Sequence, residues 1–79
     1  MMPAFYFDID DGRQQTKDLE GQELPDREAA REAAVTALPA MAADLFPNGT
    51  GTLVTVRVRD ESRRVILVGL LAVTTVWID

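Results

Sequence analysis

The sequence predicts an α+β fold: a small antiparallel sheet in the order β-β-α-β-β, with one proline-kinked helix packed on one face. Three observations lead there. Stretches of alternating apolar and polar residues stand near both ends of the chain. An alanine-rich stripe of helical period lies between them. Asp11-Gly12, Glu20-Gly21 and the run Phe46-Pro47-Asn48-Gly49-Thr50-Gly51 punctuate the pieces as turns. With 79 residues there is room for one domain, taken as residues 1–79.

Residues 3–10 read as the first strand, with Phe5, Phe7 and Ile9 on one face and Ala4, Tyr6, Asp8 and Asp10 on the other. Asp11-Gly12 then supplies a hairpin turn, because glycine tolerates the positive φ such turns need. Residues 13–17 are polar and predict a short second strand at a sheet edge, where charge discourages further strand addition. Residues 18–25 are expected to be a loop with a tight turn at Glu20-Gly21.

Asp26 is placed to cap a helix, since its carboxylate can accept hydrogen bonds from the free N–H groups of the first turn. Glu28 suits the positive end of the helix dipole. Ala30, Ala34, Ala37, Leu38, Met41 and Leu45 form one apolar stripe, small in its first half, which predicts close approach of helix to sheet. Pro39 removes a donor and crowds the carbonyl of Val35, so a kink is expected rather than a break, for which Leu38 would be a poor cap.

Residues 53–60 predict a strand with Val54, Val56 and Val58 inward and Thr55, Arg57 and Arg59 outward. The run Asp60-Glu61-Ser62-Arg63 closes a hairpin, and residues 64–78 read as a long last strand. The stretch from Val65 to Val73 is apolar at nearly every position, as in a strand buried on both faces, with Gly69 marking a bulge. One helix covers one face of a sheet. A second copy of the chain is therefore expected on the other, making a homo-oligomer.

The chemistry is bounded by what is missing. There is no cysteine and no histidine, which removes disulfides, the common zinc ligands and the usual nucleophile–base pairs. Ser62 is the sole serine and Lys17 the sole lysine, so a Ser/Lys pair would have to form between a solvated turn and a distant edge. We expect no enzyme, no catalytic residue, no cofactor and no metal centre. Asp8, Asp10 and Asp11 before Gly12 briefly resemble a calcium loop, yet the glycine comes one position early and Leu19 stands where a bidentate glutamate is needed. They are read as a weak cation site or, more simply, as turn carboxylates.

The net charge is −5, and the acidity belongs to the first 32 residues. Arg57, Arg59, Arg63 and Arg64 cluster at one hairpin and could face an acidic partner. With a pI near 4.5 and no interleaved aromatics, nucleic acid is not the expected partner. Trp77, between Val76 and Ile78, reads as a core or dimer-interface anchor. No basic leader precedes the first strand, and the longest apolar run is too short to span a bilayer, so no membrane association and a cytoplasmic location are expected.

The run Phe5-Tyr6-Phe7-Asp8-Ile9-Asp10-Asp11-Gly12, then Asp18-Leu19-Glu20-Gly21-Gln22-Glu23-Leu24-Pro25-Asp26, then Glu28-Ala29-Ala30-Arg31-Glu32-Ala33, resembles a bacterial family of small domains of unknown function. Its pattern is "YFFDI-DG … D-EG-EL-D-EAA-EA", followed by a "V-V-D" hairpin that Val56-Arg57-Val58-Arg59-Asp60-Glu61 fits. The resemblance implies no activity and no catalytic residue. Where that family often has glycine this chain has Arg63, which implies a left-handed arginine or a changed loop. More distantly, the order of elements is similar to antitoxin domains of HicB type. The functional expectation is a non-enzymatic protein-interaction module, self-associating through the C-terminal strand and open to another protein partner. The alternative is a nucleic-acid-associated or antitoxin-like accessory working through the arginine hairpin.

Overall fold

The computed structural model describes residues 2–45, 53–72 and 74–79, with the backbone alone of Ala42 and Leu45. Its elements are β1 (Ala4–Asp10), β2 (Gln15–Thr16), β3 (Gln22–Glu23), α1 (Arg27–Leu45), β4 (Leu53–Arg59) and β5 (Val65–Ala72). All strand pairings are antiparallel, in the order β2-β1-β4-β5, with β3 joined to β1 beside β2. One helix on one face of an antiparallel sheet is the α+β fold that the alternation and the alanine stripe predict.

β1 and β4 show why that alternation was legible. Phe5, Val54, Val56 and Val58 are buried together with Ala30, Ala34 and Leu38, while Phe7, Ile9, Leu24, Ile66, Leu67 and Leu71 pack around them. The small side chains Ala30 and Ala34 let the helix axis sit close over β4 and β5, as the stripe requires. Asp26 caps the helix, its Oδ1 accepting the N–H of Ala29 at 2.9 Å. Pro39 lies inside a helix that runs on without a break, at an exposed position. The side chain of Leu45, assigned to the stripe, and the turn at residues 46–51 fall outside the described residues.

Four expectations need correction. First, residues 18–25 are not only loop: Gln22 and Glu23 pair with Phe5 and Ala4 as β3. Second, the last strand ends at Ala72, and residues 74–79 lie in no regular element. Third, the irregularity in the β4–β5 ladder sits between Val58 and Arg59, opposite Ile66, and not at Gly69. Gly69 stays in register with Val56 because the helix presses on it: a Cβ there would stand 3.0 Å from Val56 Cγ1 and 3.1 Å from Leu38 Cδ1. Fourth, β5 is not buried on both faces. Leu67, Gly69 and Leu71 are half-buried toward the helix, whereas Val68, Leu70 and Ala72 are exposed on the other face.

The β4–β5 turn takes the first of the two geometries open to Arg63. Its φ is +67°. The Arg63 N–H bonds to the carbonyl of Asp60 at 2.9 Å, and Asp60 N bonds to Arg64 O at 3.0 Å, a tight turn followed by one left-handed residue. Arginine holds there the conformation glycine adopts at less cost. The Asp60 carboxylate helps fix it by accepting the N–H of Arg64 at 3.0 Å.

Candidate interaction surface

The face of the sheet away from α1 carries the residues singled out above, and it divides into a polar half and an apolar half. On the polar half, antiparallel register sets Tyr6 opposite Arg59 and Asp8 opposite Arg57. The ion pair forms on the diagonal rather than straight across. Arg59 Nε donates to Asp8 Oδ2 at 2.7 Å and its Nη2 donates to Asp8 Oδ1 at 3.0 Å. The same Nη2 also reaches the carbonyl of Asp18 at 2.9 Å, and the guanidinium lies 5.0 Å from the centre of the Tyr6 ring.

Asp18 completes this half by acting as a missing strand. Between β2 and β3, β1 would present a bare N–H at Phe7; Asp18 Oδ2 accepts it at 3.0 Å. Its other oxygen accepts from Glu20 and Gly21 at 3.1 and 3.0 Å, while its own N–H donates to Asp8 Oδ1 at 2.9 Å. Gly21, at φ +76°, brings the loop down on the Tyr6 ring, where a Cβ would come within 2.8 Å of Cε2. The guanidinium of Arg59, by direct hydrogen bonds, holds the Asp8 carboxyl below the usual carboxylate range. Burial works to raise Asp18, but the N–H donors of Gly21, Phe7 and Glu20 outweigh it and leave that carboxyl lowered too.

Arg59 is therefore corrected from an outward-facing patch residue to a buried one, its side chain 8% exposed. It does point away from the helix, as the alternation says; the Asp18 loop then folds over it. Thr55, also expected outward, is buried on the same face between Asp10 and Leu70. The four arginines are not brought together as one free patch. Arg64 pairs with Asp60 at 3.5 Å in the turn, Arg63 is exposed beside it, and Arg57 borders a groove with Asp10, Gln15, Thr16 and Lys17.

The three N-terminal aspartates separate in the same way. Asp8 is taken by Arg59, Asp10 Oδ1 accepts from the N–H of Gly12 at 2.8 Å, and Asp11 Oδ1 accepts from Arg13 and Gln14 at 2.9 and 2.7 Å. The Gln14 and Arg13 N–H groups hold the Asp11 carboxyl below its ordinary value. Asp10 and Asp11 thus do turn chemistry. Among the described residues, no group of three or more acids converges as metal ligands would.

The apolar half lies along β5. Leu53, Val68 and Leu70 are exposed there, Leu70 to 61%, and β5 has no strand on its outer side among the described residues. It carries no lysine and no proline to discourage strand addition. Beyond it Val76, Trp77 and Ile78 are 74%, 95% and 94% exposed. Trp77 is thus not a core anchor of this chain, a correction to one of its two expected roles. Its size suggested burial, but it packs on no surface among the described residues.

What the fold and this surface define is a small α+β domain with one edge closed by a side-chain network and the other without a partner strand among the described residues. The chain belongs to the family described as "domain of unknown function (DUF6894)", whose model matches residues 4–72. That span contains the β1 strand, the Asp18–Gly21 loop, the helix cap, and both strands of the C-terminal hairpin. No curated protein and no solved structure matches the chain. Among the described residues, no helix is long and apolar enough to cross a membrane.

Proposed function

We infer that the chain is a non-enzymatic protein-interaction module that self-associates through β5. The bare edge of β5 carries this reading. Its eight residues have no strand on one side among the described residues, and they carry a row of exposed apolar side chains on one face. Such an edge is a template for strand addition, and globular proteins ordinarily blunt it with charge, proline or a covering element. A second copy supplies a strand of matching length and chemistry. Pairing two β5 strands about a two-fold axis normal to the sheet joins the two sheets and puts the Val68 and Leu70 rows of both copies on one continuous face.

Sedimentation velocity across the micromolar range tests it. The wild type is expected to pass from monomer to dimer, and the Val68→Lys/Leu70→Lys variant to stay monomeric with its fold intact. A wild type that sediments as a monomer at high micromolar concentration removes the reading. A bacterial and cytoplasmic setting belongs to the same proposal. It is supported by the likeness of residues 5–33 to the bacterial pattern and by the lack of any cysteine for a disulfide framework.

The alternative, a nucleic-acid-associated or HicB-like accessory acting through the arginine hairpin, has weaker support. Arg59 is committed to Asp8 and Arg64 to Asp60, which leaves Arg57 and Arg63 as the exposed positive charges on that hairpin with no ion pair among the described contacts.

A further inference from the structure

The residues beyond β5 offer a feature that edge pairing alone does not use. Between the first turns of α1 and the start of β5 lies a groove of about 160 Å³ bordered by Arg27, Glu28, Ala30, Arg31, Val58, Ile66 and Leu67. Its floor is apolar, and its rim carries the guanidinium groups of Arg27 and Arg31, the second of them paired with the Glu28 carboxylate. A cavity of roughly 150 Å³ is enough to hold one benzene ring. An indole ring suits such a place chemically, because its face attracts guanidinium groups while its body lies against an apolar floor.

The chain's only tryptophan, Trp77, is 95% exposed on an arm that leaves the domain. Val76 and Ile78 on either side of it are 74% and 94% exposed, so these three side chains are not covered by the described residues of their own domain. The run Val73-Thr74-Thr75 carries none of the Gly, Asn or Asp that favour a two-residue hairpin turn.

Geometry supplies one route to cover. Side chains alternate along a strand, so with β5 extended straight Trp77 shares the helix-side parity of Leu67, Gly69 and Leu71. A two-fold axis normal to the sheet keeps that face in both copies. With the axis near Ala72, Leu67 falls opposite the second copy's Trp77 and Val68 opposite the second copy's Val76. Resting on self-association through β5, we propose that the second copy is held by exchange of C-terminal arms, each Trp77 seated in the other copy's groove between α1 and β5. The last strand then extends past Ala72 in the dimer, as the sequence pattern of residues 64–78 predicts.

Trp77 is its own reporter. Its fluorescence and its quenching by acrylamide are followed on the full chain through a dilution series, with sedimentation on the same samples. A dimer whose Trp77 becomes blue-shifted and shielded in step with association is the expected result. A dimer whose Trp77 stays water-like overturns arm exchange and leaves edge pairing standing. A monomer with exposed Trp77 removes both, and a monomer with shielded Trp77 shows an arm folded on its own domain and overturns the inference.

The register has a separate check. Residues directly opposite lie about 4.5–5.5 Å apart at Cα, within disulfide range, whereas diagonal neighbours lie about 7–8 Å apart. Oxidised Val68→Cys/Val76→Cys is expected to run as a covalent dimer and Leu70→Cys/Val76→Cys as a monomer, and the reverse result refutes the register. Trp77→Ala, with its circular dichroism unchanged, is expected to weaken the dimer roughly tenfold or more; unchanged association overturns the proposal.

Discussion

The two edges of this sheet end in opposite ways. On the β1 side, two short strands of two residues each leave a gap, and the gap is filled by one carboxylate: Asp18 accepts the N–H of Phe7 and ties its loop to Asp8, Arg59 and, through Gly21, Tyr6. On the β5 side, eight residues run along the boundary with no strand outside them among the described residues. A domain of this size holds only a few kilocalories of net stability. So many polar contacts on one edge, against none described on the other, set the two apart. The first edge is part of the fold. The second is, on the function proposed above, a surface for another strand.

If that contrast is right, the largest effect on the fold comes from breaking the closed edge at Asp18. Asp18→Ala leaves three N–H groups, on Phe7, Glu20 and Gly21, without their acceptor. Phe7 N is partly buried, and an unmet buried donor costs about 1–3 kcal/mol. A loss of roughly 2–3 kcal/mol in urea unfolding is expected. A loss under about 1 kcal/mol would mean that water replaces the carboxylate and that the edge is not closed by it.

Acid should act on the same edge next. The carboxyls of Asp8 and Asp18 are both held below the ordinary aspartate range in the folded chain, Asp8 by the Arg59 guanidinium and Asp18, against burial, by its backbone N–H donors. A depressed folded-state value binds protons less readily than the unfolded chain does. The stability from these groups is therefore complete above the unfolded value and is lost as pH falls through the folded one. The unfolding midpoint is expected to be level through neutral pH and to drop below about pH 4. Asp8→Asn should lower stability at neutral pH and flatten the acid slope; an unchanged slope would place the acid sensitivity elsewhere.

This contrast also explains what the sequence made legible. The strands β1 and β4, the Asp11-Gly12 turn and the Asp26 cap rest on patterns spanning a few residues, and each appears where the pattern puts it. The Arg59 site rests on register. Alternation gave the side of the sheet on which Arg59 emerges, but not that Tyr6 stands across from it, Asp8 on the diagonal, and the Asp18 loop above. The signal was present in the shared parity of Tyr6 and Asp8 with Arg57 and Arg59, which puts opposite charges on one face. Trp77 fails for another reason. Residue size says that a side chain seeks cover, not which molecule provides it, and in the single chain Trp77 stays 95% exposed.

The smallest expected effect tests the open edge, and its smallness is the point. Leu70→Lys places a charge on the apolar half, at a side chain 61% exposed on the face away from the helix. In a dilute monomer the substitution removes little packing and leaves β5 hydrogen-bonded to β4 through its Thr55 neighbour. Unfolding in urea at low concentration should shift by no more than about 0.5 kcal/mol, as for ordinary surface changes. The same variant at high concentration should lose whatever extra stability association lends the wild type, since a dimer's stability grows with protomer concentration. Two outcomes would collapse the contrast between the edges. A large loss in the dilute monomer would make Leu70 part of the fold, and an identical concentration dependence in variant and wild type would leave β5 without a role in association.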